Sequence, residues 1–243
     1  MKANGFIILT SSLHLPGLTS RQYYTSAFGI DYGQPGKYRA QGEQTHLSNP
    51  HVIDVLRGSK PSLAHLGKIY FWVKSNFETW SAGGSTIGAV TVDQLFAERK
   101  LGGCHDWGLV YACIARELGY PAVMADTMGI AWALSFRAGQ AGGYVGHVFV
   151  EVFVKGKWVL VDSTNGWFVA DDYDPTNPVI PLKTDAEKDG NFVMRKGVDT
   201  WGYGIHSNAE LLQLMENSAR GLRLEKLKVP SYNFQRFVRE CCQ

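Results

Sequence analysis

The chain has few cysteines for its 243 residues, and their spacing excludes the common cysteine-rich sites. Its four cysteines are Cys104, Cys113, Cys241 and Cys242. They form no CxxC pair and no zinc-ribbon pattern. Nothing in this spacing requires an oxidising compartment, and we expect Cys241 and Cys242 to be free or poorly ordered at the tail. Cys113 falls among apolar residues and is predicted to be a small buried hydrophobe.

Charge and long apolar runs are also scarce. The formal net charge is +2, which is too small to indicate nucleic acid or an anionic membrane as a partner. No apolar run approaches the roughly 20 residues that a membrane helix needs, and the apolar start at residues 6–9 is shorter than that of a usual signal peptide. We therefore expect no membrane span and a cytoplasmic location, with secretion left open. The absence of a Walker motif and of a dinucleotide fingerprint argues against a nucleotide cofactor.

The composition is otherwise that of an ordinary globular protein, with 45% apolar and 19% charged residues. The length suits one domain, or one domain with a sizeable extension. Residues 10 to about 60 are rich in Ser, Gly, Pro, Gln and Tyr and show weak periodicity. We therefore predict a loop-rich N-terminal extension at residues 1–60, packed on a core domain at residues 61–243.

A reactive cysteine is indicated where two glycines precede Cys104. The run that follows has its apolar residues at helical spacing, and Gly119 and Pro121 then end the predicted helix. The apolar residues are Val110, Cys113, Ile114 and Leu118. A cysteine in the first turn of a helix meets unpaired backbone N–H groups and the positive end of the helix dipole, which both stabilise a thiolate.

A base for this cysteine is predicted further along the chain. Two β-branched and aromatic runs, at residues 146–154 and 157–162, are typical of strands joined by the two-residue turn Lys155-Gly156. This register makes His147 and Asp162 diagonal neighbours on one face of the hairpin. Such neighbours are about 7–8 Å apart at Cβ, which lets a carboxylate meet an imidazole. A one-residue slip would put the two side chains on opposite faces.

These motifs together resemble the transglutaminase-like superfamily, over about residues 66 to 170. The shared pattern is Gly-Gly-Cys-x-Asp, a helix ending in Leu-Gly-Tyr-Pro-Ala, then Gly-His-Val-Phe-Val-Glu-Val and Lys-Trp-Val-x-Val-Asp-Ser-Thr. The resemblance implies an α+β fold with a papain-like core, in which the nucleophile helix packs on an antiparallel sheet. It also implies Cys104 as nucleophile, His147 as base and Asp162 as the residue that orients the base. Many transglutaminases carry Trp directly after the cysteine, whereas this chain has His105 there.

We therefore predict cysteine-dependent amide chemistry through a thioester, with hydrolysis of a peptide or glutamine-type amide as the leading activity. The expected substrate is a protein or peptide, and no cofactor or metal is expected. Transfer of the acyl group to an amine is one alternative, and a non-catalytic protein that binds peptides or a partner is another. A zinc site of Cys104, His105 and His147 is a third, although the adjacent ligands Cys104 and His105 would strain tetrahedral geometry. The oligomeric state is not specified by the sequence.

Other patterns predict supporting elements. Apolar residues recur at helical spacing from Leu66 to Trp80, and a short helix is expected over residues 92–99. Ser207 and Glu210 form a capping box that opens a helix to about Ala219. Thiol amidases need a second oxyanion donor, for which Gln94 and Trp80 are upstream candidates, although an ordinary surface Gln is the favoured interpretation of Gln94.

Overall fold

The structure is a computed structural model that describes residues 28–182, 189–223 and 226–239. The predictions for residues 1–9, for Cys241 and for Cys242 therefore fall outside the described residues. None of the helices in the described ranges has both the length and the apolar character that crossing a membrane requires.

Five α-helices lie in the part of the chain that the structure describes. They are α1 (Leu63–Asn76), α2 (Val92–Glu98), α3 (Cys104–Glu117), α4 (Ile130–Arg137) and α5 (Asn208–Gly221). The predictions of α1, α2, α3 and α5 are confirmed, and the Ser207 side chain accepts from the Glu210 N–H at the start of α5. Helix α4 was not predicted, because its 8 residues are too few and too uniformly apolar for a clear helical period, and no side chain caps its start.

Within the described ranges the main sheet has seven strands, and every neighbouring pair in it is antiparallel. The strands are β3 (Ala122–Gly129), β4 (Gly146–Val154), β5 (Lys157–Asp162), β6 (Trp167–Val169), β7 (Val179–Ile180), β8 (Asn191–Gly197) and β9 (Gln235–Arg236). Their spatial order is β7-β8-β3-β4-β5-β6-β9. The strands β1 (Glu78–Thr79) and β2 (Lys100–Leu101) form a separate parallel pair. The predicted α+β class is confirmed.

Helix α3 packs closely on the centre of this sheet. At Gly108 an added Cβ would lie 2.7 Å from Val148 Cγ1 and 3.1 Å from Met124 Cε, so glycine lets the helix approach strands β3 and β4. Cys113 lies on the buried side of the helix, as predicted, with 0% exposure. The packing of the helix that begins at Cys104 on an antiparallel sheet, implied by the resemblance, is therefore confirmed.

The hairpin of β4 and β5 has the predicted register. Val154 is paired with Lys157, and Val150 with Val161. Lys155 and Gly156 have φ values of 51° and 82°, the positive values that a two-residue type I′ turn requires. This register carries His147 and Asp162 to the same face of the hairpin.

The described residues before α1 hold two 3₁₀ helices, Pro35–Tyr38 and Pro50–Leu56, and are otherwise irregular. Tyr32 and Tyr38 pack edge-on against Trp158 of β5. Ile53 is buried in the same hydrophobic cluster as helices α1 and α3. The division of the chain at residue 60 stays a prediction.

Candidate active site

Cys104 is the first residue of α3 and is partly buried. A hydrogen bond fixes the loop of Gly102 and Gly103 that precedes it: the Gly102 N–H donates to Asp106 Oδ2 at 2.6 Å. An added Cβ at Gly102 would lie 2.4 Å from Ala82 Cβ, so a side chain there would displace this loop. The loop and the helix together hold the thiol at the positive end of the α3 dipole.

The hairpin brings His147 and Asp162 into contact, with His147 Nε2 at 2.9 Å from Asp162 Oδ1. Asp162 Oδ1 also accepts from the backbone N–H groups of Thr164 (3.1 Å) and Asn165 (3.0 Å). Its Oδ2 accepts from Asn165 Nδ2 at 2.9 Å. Burial raises the pKa of the Asp162 carboxyl, but the hydrogen bonds and charge of His147, together with Asn165, outweigh it and lower that pKa below its ordinary value. Asp162 is therefore a firmly held anion.

The His147 ring is oriented by two neighbours. It packs edge-on against Phe149 with ring centroids 4.8 Å apart. Because Nε2 faces Asp162, the other ring nitrogen, Nδ1, is left for the Cys104 thiol. Burial lowers the pKa of His147, but Asp162 and then Cys104 overcome it and raise that pKa well above its ordinary value. A protonated imidazole beside the thiol is the form that this arrangement stabilises.

The Cys104 thiol ionises easily in this setting. Burial opposes its ionisation, but hydrogen bonds and charge from His105 and His147 outweigh the burial and lower its pKa to about 6. At neutral pH the group is therefore mostly a thiolate.

A second imidazole reaches the same sulfur, with His105 Nδ1 at 4.0 Å from Cys104 Sγ. His105 Nε2 lies 2.8 Å from Asp126 Oδ2, on strand β3. Sequence reasoning did not single out Asp126. A carboxylate in the middle of the otherwise largely apolar run Ala122–Gly129 was the signal that could have found it, because a buried charge needs a partner.

The two candidates for the second oxyanion donor and the zinc hypothesis remain to be compared with the structure. Gln94 is an exposed residue whose side-chain oxygen accepts from the Thr91 N–H at 2.8 Å in a capping box, as favoured for an ordinary surface Gln. The backbone N–H of Trp80 donates to the Leu101 carbonyl oxygen, and its indole N–H stays the candidate for the second oxyanion donor. Across the described ranges, no three His, Cys, Asp or Glu side chains are arranged to hold a metal ion, so the zinc hypothesis gains no support from the geometry.

Comparison with known families matches residues 51–163 to the model of the transglutaminase-like superfamily. The chain carries a transglutaminase-like domain. The matched range includes Cys104, His147 and Asp162. The resemblance inferred from the motifs is thus confirmed for this domain.

One solved structure with similarity to the chain is described as a putative cysteine protease from Cytophaga hutchinsonii. The two share 15% sequence identity and superpose with a TM-score of 0.47. The match covers 72% of this chain and 50% of that chain, so the present chain aligns with about half of the longer one. No curated protein matches the chain significantly.

Proposed function

We propose that this transglutaminase-like protein is a cysteine-dependent amide hydrolase that acts on peptides or on glutamine-type amides. Cys104 is the nucleophile, His147 the general base and acid, and Asp162 the residue that orients His147. One observation carries the proposal: the His147–Asp162 pair, with its 2.9 Å contact, lies beside a thiol whose pKa is lowered to about 6.

The proposed reaction begins with attack of the Cys104 thiolate on the carbonyl carbon of the amide. The new C–S bond gives a tetrahedral intermediate, and the C–N bond then breaks as His147 Nδ1 gives its proton to the leaving amine. Water attacks the resulting thioester while His147 takes one of its protons. The C–S bond breaks, which releases the carboxylic acid and restores the thiolate and the protonated His147.

The start of helix α3 suits the negative oxygen of these intermediates. The first N–H groups of an α-helix have no partner within the helix, and the helix dipole adds a positive potential there. The Cys104 backbone N–H is the first proposed oxyanion donor, and the Trp80 indole is a candidate for the second. Preorganised donors of this type are worth about 10²–10³ in rate each.

Hydrolysis is proposed over amine transfer because water is the more abundant acceptor unless the thioester is shielded from it. Cys104 is only partly buried, so it remains accessible to water. This choice concerns the second half of the reaction alone, since both outcomes share the same thioester.

The test offers a library of glutamine-containing peptides to the purified chain, with and without a labelled primary amine. We expect cleaved or deamidated peptides in both arms and little amine incorporation. Cys104→Ala should abolish the products, whereas Cys113→Ala, which removes a buried thiol from the same helix, should retain them. Abundant incorporation without matching hydrolysis would identify a transferase instead. A lack of reaction with every peptide would favour the binding protein.

A further inference from the structure

The His105–Asp126 pair has no part in the proposed triad, yet it lies against the nucleophile. We propose that His105 is a second cationic partner of the Cys104 thiolate. The His105 imidazole stays doubly protonated throughout turnover, and Asp126 is the residue that positions it. The proposal rests on the proposed function in taking Cys104 as the nucleophile. Its test needs no substrate, so the two can fail separately.

The orientation of His105 does not follow from helix geometry. Neighbouring residues on an α-helix point in directions about 100° apart and do not normally face each other. The His105 ring is nevertheless placed so that Nδ1 lies 4.0 Å from Cys104 Sγ, while Nε2 lies 2.8 Å from Asp126 Oδ2. With a thiolate at one ring nitrogen and a carboxylate at the other, each nitrogen must carry a hydrogen to donate.

The carboxylate of Asp126 also requires this charge. The side chains of His105 and Asp126 are 6% and 1% exposed, so the Asp126 charge lies in the protein interior. A buried carboxylate without a positive partner is costly. The Tyr203 hydroxyl also donates to Asp126 Oδ2, at 3.4 Å, but it adds no positive charge. His105 is thus the cation that balances Asp126.

Several titratable groups surround the His105 imidazole, and their sum favours its protonated form. Those that act on it directly are Cys104 and Asp106 on α3 and Asp126 on β3. His147 on β4 interacts with Cys104, and Tyr203 after β8 interacts with Asp126 and Cys104. Burial lowers the pKa of His105, but Asp126 and then Cys104 raise it to about 10. Burial raises the pKa of the Asp106 carboxyl. The charge of His105 therefore persists across the neutral range.

The two imidazoles differ in solvent exposure, and for this reason they have different proposed roles. The His147 side chain is 12% exposed, whereas His105 is 6% exposed and lies between the helix and the sheet. His147 can therefore pass its proton to a leaving group and recover it from water. His105 is enclosed, so it acts through fixed charge and stabilises the thiolate both as nucleophile and as leaving group.

The experiment measures the rate at which iodoacetamide alkylates Cys104 between pH 4.5 and 9.5, read at the Cys104 peptide by mass spectrometry. We expect a midpoint near pH 6 in the wild type. In His147→Ala the midpoint should stay well below the ordinary range of about 8.5, because His105 remains. In His105→Gln and in Asp126→Asn it should rise by about one unit or more, which slows alkylation at pH 6 at least about fivefold. In the double variant His105→Gln/His147→Ala it should reach the ordinary range.

Unfolding would also raise the midpoint, so each sample needs an internal control. Cys113 is fully buried, and burial raises its pKa well above its ordinary value. Labelling of the Cys113 peptide in the same digest therefore reports a loss of structure. If His105→Gln exposes Cys113, the result from Asp126→Asn is decisive. That substitution keeps the shape of the side chain and removes only its charge.

A measurement on the wild type keeps the inference falsifiable even if both variants unfold. ¹⁵N NMR of labelled histidines at pH 8 should show His105 with hydrogens on both ring nitrogens, and His147→Ala removes the competing signal. A singly protonated His105 at pH 8 would overturn the proposal. So would a midpoint that returns to about 8.5 in His147→Ala alone while folded Asp126→Asn matches the wild type. Absence of peptide hydrolysis with the expected alkylation profile would contradict the proposed function and leave this inference standing.

Discussion

Two His–Asp pairs meet the same sulfur, and they are built in different ways. His147 and Asp162 come from adjacent strands of one hairpin, 15 residues apart, and are 2.9 Å apart at Nε2 and Oδ1. His105 and Asp126 come from a helix and the next strand, 21 residues apart, and are 2.8 Å apart at Nε2 and Oδ2. Each pair leaves the Nδ1 side of its imidazole for Cys104. The two pairs share a hydrogen-bond pattern but not an environment.

The surroundings of the two carboxylates explain the difference in their proposed roles. Asp162 accepts three further hydrogen bonds, from Thr164 and Asn165, and its imidazole partner reaches solvent. Asp126 is supported by Tyr203, and its imidazole partner is enclosed. A proton can therefore move at His147 with little cost to the rest of the site, whereas at His105 its loss would leave a buried negative charge uncompensated.

The largest effect that separates the two pairs is expected for the base itself. His147→Ala should lose about as much turnover as Cys104→Ala, of the order of 10⁴-fold or more, because members of such a triad act as a unit. His105→Gln should lose far less at pH 8 and above, where high pH replaces its help in forming the thiolate. The measurement is kcat/KM on a peptide identified from the glutamine library, for all three variants.

Equal losses in the His147 and His105 variants at pH 9 would mean that both imidazoles handle protons. Near-normal turnover in His147→Ala would transfer the role of base to His105. Circular dichroism spectra that match the wild type are the control for each variant.

The sequence predicted one of these pairs and missed the other, for a physical reason. The His147–Asp162 pair depends on strand alternation and on the two-residue turn at Lys155-Gly156, which are both local patterns. The His105–Asp126 pair depends on the rotation of helix α3 over the sheet. That rotation is set by tertiary packing, such as the close contact at Gly108, which no local pattern specifies. The second oxyanion donor likewise depends on tertiary packing, so no local sequence pattern identifies it.

The two carboxylates should respond differently to loss of charge. Asp162→Asn should reduce kcat at all pH values, because His147 then loses its orientation and its counter-charge. The loss in kcat should be about a hundredfold smaller than the loss caused by His147→Ala. Asp126→Asn should instead move the acidic limb of kcat/KM to higher pH and leave the plateau within about tenfold of the wild type. The direction follows from a higher Cys104 pKa, which demands a higher pH for the thiolate. An unmoved acidic limb in Asp126→Asn would remove the distinction between the pairs.

The contact between helix and sheet can be disturbed without touching either pair. Gly108→Ala should destabilise the fold by about 1–3 kcal/mol, because the new Cβ would lie 2.7 Å from Val148 Cγ1 in a close-packed core. Urea unfolding measures the loss. Gly103→Ala, at the residue that precedes the same helix, is the matched control, since an added Cβ there meets nothing within 4 Å. Equal stability of the two variants would contradict the packing described for α3.

The smallest effect on turnover is expected from removing the side-chain hydrogen bond of Asn165 to Asp162, for which the His105–Asp126 pair has no counterpart. Asn165→Ala removes the Nδ2 donor to Asp162 Oδ2 but leaves the backbone N–H groups of Thr164 and Asn165 in place. Asn165 is exposed, so water can replace part of the lost bond, and we expect kcat/KM to fall about three- to tenfold. Without this donor the Asp162 anion depends more on the His147 imidazolium for its stabilisation, so the His147 pKa rises and the basic limb moves to higher pH. Asn217→Ala, on the exposed side of α5, should change neither quantity. A loss as large as that of Asp162→Asn, or an unmoved basic limb, would show that Asn165 does not act through the Asp162 charge.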